Sequence, residues 1–236
     1  MKHSHSSNIN RNAPQSLKDE PFYGLLLDEE QEKFRDALWD KDKLIVFCNS
    51  KAGTGKTTIA LGTANLLYSY GMYREVIYIV SPTQEQIQGF LPGDQEQKTA
   101  PYMGPLLDAM SVLGLDAGKS LISDTNIQAQ KEGTAFIRFM PHTYLRGCNF
   151  DNAVVIIEEA QNFYGDSLKK VLTRIHDNCK VVVIGHTGQI DILKHPERSG
   201  FAKYLDHFKD DHRCEVVTLT QNHRGWISSH ADELEF

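Results

Sequence analysis

The chain has 236 residues, with 40% hydrophobic and 24% charged side chains, and Lys+Arg 25 against Asp+Glu 31 give a formal net charge of −6. This length and balance suit one large domain, or two small ones, with a sizeable core. Mean hydropathy is −0.41, and no apolar run approaches the roughly 18 residues of a membrane helix. The acidic balance excludes a chain that is basic all over, though not a local basic groove.

Residues 1–20 are polar without an apolar period and are expected to form a flexible tail. They contain no apolar stretch of the secretory type, so a cytoplasmic location is expected. Cys48, Cys148, Cys179 and Cys214 are too scattered for a zinc knuckle or a redox pair and read as free thiols. The histidines are equally scattered, so no metal site built from protein side chains alone is expected. Leu27, Gln31, Phe34 and Leu38 recur at helical spacing and predict a helix over 28–40. Short apolar runs follow at Leu44–Cys48, Val76–Val80, Phe136–Met140, Val154–Ile157, Val181–Ile184 and Val216–Leu219. Runs rich in Val and Ile are the pattern of strands buried on both faces. Helical patterns at Thr57–Tyr70 and Gly165–Ile175 lie between them. The expected fold is α/β: a doubly wound, mostly parallel sheet with helices on both faces. Residues 21–236 form the single domain of this reading. An irregular insertion at about 89–134, rich in Pro and Gly, carries a helix near 104–113 and is expected to face a partner or a nucleic-acid strand.

Ser50-Lys51-Ala52-Gly53-Thr54-Gly55-Lys56-Thr57-Thr58 follows the first apolar run and opens a helical pattern. That context distinguishes a phosphate-binding Walker A loop from a plain Gly-rich turn. Glycines let backbone N–H groups turn inward on phosphates, and the following helix adds its N-terminal dipole. Lys56 would reach the β- and γ-phosphates, and the Thr57 hydroxyl would ligate Mg²⁺. Ser50 stands where the pattern GxxxxGK[ST] begins with Gly.

About a hundred residues on, Ala153-Val154-Val155-Ile156-Ile157-Glu158-Glu159-Ala160-Gln161 reads as a strand ending in two carboxylates, a Walker B pattern. In a parallel sheet both motifs meet at the carboxyl edge of the strands, where ligands bind. Adjacent residues of an extended strand point to opposite sides, so the carboxylates should have different tasks. Glu158 would hold Mg²⁺, directly or through water, and Glu159 would polarise the attacking water. A strand ending in solvated charges is the plain alternative for either motif alone, less so for both in register.

Together, the Ala52–Thr57 loop, Gly89-Phe90-Leu91-Pro92-Gly93-Asp94, Leu145-Arg146-Gly147, the Asn152–Asn162 strand and Val182–Asp191 resemble the PhoH family. The resemblance runs from about Gln31 to Arg224 and implies a RecA-like P-loop ATPase related to superfamily 1 helicases. It further implies Gln31 as an adenine contact, Gln189 as a γ-phosphate sensor and Arg224 as an arginine finger on its own or a neighbour's ATP. Arg146 is a weaker candidate for a basic contact. Glu158 stands where Asp is usual, and His186 where the family has Asp in its Gly-Asp motif; the latter bears on hydrolysis rate more than on binding. No guanine-reading Asn-Lys-x-Asp motif follows, which argues against a GTPase, and no Arg-rich lid suggests a small-molecule kinase. Two outputs compete. One is ATP hydrolysis coupled to single-stranded RNA or DNA through loops such as Ser81-Pro82-Thr83 and 141–147, in a ring that the resemblance makes hexameric. The other is an ATP-dependent switch acting on a protein partner, toward which the acidic charge leans.

Overall fold

The strands of the sheet are β1 (Ile45–Asn49), β2 (Glu75–Val80), β3 (Ile137–Pro141), β4 (Ala153–Glu158), β5 (Lys180–Gly185) and β6 (Cys214–Val217). All pairings are parallel, in the order β3-β2-β4-β5-β1-β6. The fold is taken from a computed structural model, and the structure describes residues 13–82, 100–123, 126–192 and 196–232. The Gly89–Asp94 motif, Thr83 and residues 1–12 lie outside these. Every residue of β4 and β5 is buried, which explains their continuous apolar runs.

Alternate strand residues feed two cores. Val46, Cys48, Val76, Tyr78, Val154, Ile156, Val182 and Ile184 pack beneath three helices, α1 (Glu29–Trp39), α2 (Lys56–Ser69) and α3 (Gly104–Val112). Ile45, Phe47, Ile77, Ile79, Val155, Ile157, Val181 and Val183 face the opposite side. There they meet Leu168 and Val171 of one helix and Phe201 of another, both later in the chain than two short helices, α4 (Ala117–Ser120) and α5 (Ile127–Glu132). The two covering helices are α6 (Gly165–Leu172) and α7 (Phe201–Phe208), and α8 (Trp226–Asp232) ends the described chain. The doubly wound expectation is met. Helix α7 is absent from the expected elements, although Phe201, Tyr204, Leu205 and Phe208 stand at helical spacing.

Two local differences have physical causes. Residues 13–17, assigned by composition to a tail, pack on α1: Leu17 is buried, and the Trp39 indole donates to the Pro14 carbonyl at 3.0 Å. Strand β6 stops at Val217 rather than Leu219, because the Leu219 N–H leaves the ladder and donates to Ser50 Oγ at 2.7 Å.

Candidate active site

Strand β5 lies between the loop-bearing β1 and the acid-ended β4, the RecA-like order. Register aligns Asn49 with Gly185 and Val80 with Glu158, so the three strand ends open on one edge. There a cleft of about 530 Å³ is lined by the loop, by Glu158 and Glu159, by His223 and Arg224, and by α3.

Helix α2 begins with no side-chain cap; its N-cap is Gly55, in the left-handed region at φ 80°. Its first N–H groups are thus left for a ligand, as phosphate loops require. Gly53 is also left-handed, at φ 81°. A Cβ on Gly53 would sit 2.8 Å from Asn222 Oδ1, and one on Gly55 would sit 2.9 Å from Gln31 Nε2. Both glycines are therefore required by conformation, and a Cβ on either would also push a side-chain amide aside. Ser50 is buried, and its hydroxyl joins the loop's start to the chain leaving β6. Lys56 Nζ donates to the Lys51 carbonyl at 3.2 Å, curled over its own loop.

Glu158 is 1% exposed at the end of β4. Tyr78 donates its hydroxyl to Glu158 Oε2 at 3.1 Å, and Thr57 lines the same cleft. Burial first, and then the neighbouring Glu159, push the Glu158 carboxyl up to about 7, against the opposing pull of Lys56, Tyr78 and Thr57. Glu159 departs from the expected extended geometry. It turns at φ 52°, ψ 45°, a left-handed conformation that costs a residue with a Cβ on the order of 1–2 kcal/mol. The turn brings both carboxylates to one cleft instead of opposite faces of a strand.

Ala52, Gly53, Gly55, Lys56, Thr57, Thr58, Glu158, Glu159 and Arg224 all line the cleft. Ser50, Thr54 and Gln31 lie buried outside its lining, and Lys51 is exposed beyond it. Gln31, the adenine candidate, uses both ends of its amide within the chain. Its Oε1 accepts the Asp28 N–H at 3.2 Å, and its Nε2 donates to the Thr54 carbonyl at 3.0 Å. Gln189 sits exposed on the turn after β5, outside the cleft lining, its N–H donating to the His186 carbonyl at 3.3 Å. Arg224 lines the cleft of its own chain. The insertion's helix α3 also walls this cleft through Gly104, Pro105, Asp108, Ala109 and Val112, so this part of the insertion faces the site instead of a distant partner.

Gln161, to which its spacing assigns no role, organises the acidic end. It is 2% exposed, donates to Glu159 Oε2 at 2.5 Å and accepts the His186 N–H at 3.1 Å. Its position in Glu158-Glu159-Ala160-Gln161 was the available signal. Asp108 and Asn222 carried none. Of the suggested strand-contact loops, Ser81 is buried with its hydroxyl on the Asn162 carbonyl, while Tyr144 and Arg146 are exposed.

The cleft holds three carboxylates, Asp108, Glu158 and Glu159, beside the fixed cations of Lys56 and Arg224. A divalent cation fits the Thr57–Glu158 pair: both are oxygen donors, and a positive charge would offset a desolvated carboxylate.

A family model for PhoH-like proteins matches residues 26–225. Protein PhoH2 of Bacillus subtilis is 31% identical over 225 residues, 92% of this chain and 49% of that protein. Protein PhoH of Escherichia coli K12 is 33% identical over 178 residues, 75% of this chain and 48% of that protein. The chain thus spans about half the length of these relatives. Among solved structures, a Bacteroides Pif1 bound to ADP-AlF4 aligns at 18% identity and a TM-score of 0.42, covering 88% of this chain and 45% of that one. With its phosphate loop and acid-ended strand sharing one cleft and a family match across nearly all of the described fold, the chain belongs to the PhoH-like protein family.

Proposed function

We propose that this chain is a Mg²⁺-dependent ATP-binding and ATP-hydrolysing module that couples turnover to single-stranded nucleic acid, RNA foremost. The observation that carries the reading is one cleft shared by Lys56, Thr57, Glu158, Glu159 and Arg224.

In this reading the uncapped N–H groups of α2 and the Lys56 ammonium bind the phosphates. Thr57 and Glu158 would hold the cation, which neutralises phosphate charge when bound. Glu159, braced by Gln161, accepts a proton from the attacking water. Arg224 meets the charge that spreads over the outer phosphate oxygens. Gln31 supports the loop from beneath and keeps one further amide N–H for an adenine edge. Gln189 reaches the γ-phosphate only if its turn moves inward on binding. Tyr144, an aromatic face, and Arg146 lie exposed just beyond β3 and supply stacking and charge for a single strand. A single RecA-like unit leaves the outer side of the cleft open, so a ring of subunits, six by family resemblance, would close it.

The test is Mg·ATP turnover with and without single-stranded RNA or DNA. Stimulation by RNA that weakens with salt supports the coupling. Turnover indifferent to nucleic acid favours a protein-directed switch. Lys56→Ala should abolish turnover with the fold intact, and wild-type turnover in that variant would sink the ATPase assignment.

A further inference from the structure

Two chain segments hold the phosphate loop in place. From α1, Gln31 Nε2 donates to the Thr54 carbonyl at 3.0 Å. From the segment after β6, the Leu219 N–H donates to Ser50 Oγ at 2.7 Å and the His223 N–H to the Gly53 carbonyl at 2.8 Å. The two segments are also tied to each other. His223 Nε2 lies 2.8 Å from Asp28 Oδ2, and the Thr220 N–H and hydroxyl donate to the Glu30 carboxylate at 2.6 and 2.9 Å. A carboxylate only accepts, so His223 Nε2 carries the hydrogen. The other Asp28 oxygen accepts the Gln31 N–H at 2.8 Å and caps α1. One helix cap therefore orients both Gln31, which grips the loop, and His223, the residue before Arg224. The Arg224 N–H is fixed in turn by Asn222 Oδ1 at 2.8 Å.

We propose that His223 is a positioning residue: its ring, held by Asp28, fixes the 222–224 backbone on the phosphate loop and so sets the approach of Arg224 to the nucleotide. This rests on the ATPase reading above. A partly exposed His–Asp pair elsewhere on a surface would matter little. Here the same residue contacts the loop through its backbone and a cleft-lining arginine through the chain.

The test compares wild type, His223→Ala, His223→Gln, Arg224→Ala and the His223→Ala/Arg224→Ala double variant of the full chain. The readouts are Mg·ATP turnover and equilibrium binding of ADP and a non-hydrolysable ATP analogue. His223→Ala should lower kcat about tenfold, the scale of a small misplacement, with KM within about twofold. His223→Gln, which puts an amide N–H near the position of Nε2, should recover most of the loss. In the Arg224→Ala background, His223→Ala should cost nothing further. Losses that multiply in the double variant would overturn the proposal, as would a raised KM with intact kcat, which would make His223 a direct nucleotide contact. If wild type binds nucleotide without turning it over, the ATPase reading fails. The proposal is then judged on the preference for the analogue over ADP, which His223→Ala and Arg224→Ala should reduce alike and non-additively. Should His223→Ala not fold, Asp28→Ser keeps a cap on α1 but cannot reach His223, and the same pattern is expected of it.

Discussion

Ser50 illustrates how far a single residue can be read. From spacing alone it is a departure from a glycine, tolerated because it is small. In the structure it is chosen: its hydroxyl takes the buried Leu219 N–H, which has left the β6 ladder. Ser50→Gly, which restores the usual loop pattern, should therefore destabilise the chain by about 1–3 kcal/mol, the cost of leaving a buried donor unmade. Chemical denaturation would measure it, and an unchanged midpoint would mean that water replaces the hydroxyl. The loop, Lys56, Thr57 and the two glutamates were legible because each motif is local and its chemistry dictates residue type. The Asp28–His223 pair was not, because its partners stand 195 positions apart and no local pattern joins them. The turn at Glu159 was not legible either. A left-handed carboxylate at a strand end follows from its bonded neighbours, Gln161 and Asn162, and not from its own propensity.

At the scale of elements, strands of continuous Val and Ile were read to within two residues, because burial on both faces leaves no other composition. Helix α2 shows what such reading omits. Gly62 in its middle should favour Ala by about 0.5–1 kcal/mol on intrinsic grounds. Yet a Cβ there would lie 2.6 Å from Phe22 Cζ and 3.0 Å from Leu113 Cδ2, where the N-terminal segment and the end of α3 close on α2. Overpacking costs about 1–3 kcal/mol, so the clash outweighs the propensity and Gly62→Ala should lower Tm. A raised Tm would mean that Phe22 can swing aside. The start of β5 carries a second such case. Lys180 is buried, donates to the carbonyls of Asp40 and Lys43, and is pushed down to about 8 by desolvation. The folded state then releases the Lys180 proton more readily than the unfolded chain, whose lysine titrates near 10.5. Stability from this group should rise with pH between those values, by about 1–2 kcal/mol from pH 7.5 to 9.5. Comparing denaturation at the two pH values in wild type and Lys180→Met isolates the effect, and equal pH dependence in both would refute it.

The whole molecule poses the question of where the arginine acts. In the proposed reading a single RecA-like unit would supply its phosphate cradle, cation-binding oxygens and water-activating carboxylate from one side, which makes a neighbour's arginine an attractive completion. The cleft of this chain already contains Arg224. That residue is not on a free rim: its N–H is held by Asn222, and His223 before it is bonded to the Gly53 carbonyl of the same phosphate loop. These bonds fix its backbone beside the loop of its own chain, and its exposed side chain extends from there. If the guanidinium serves charge that develops in the transition state, as proposed, Arg224→Ala should bind ATP near normally and hydrolyse it roughly 10²-fold more slowly. The decisive measurement mixes Arg224→Ala with Lys56→Ala subunits at concentrations where they co-assemble. If Arg224 acts within its own chain, every subunit in the mixture lacks one essential cation, and activity equals the sum of the two residual rates. Activity above that sum would place an intact loop opposite an intact arginine across an interface, and Arg224 would then belong to the neighbour's site. Without such a gain, the proposed catalytic charge stays within each subunit.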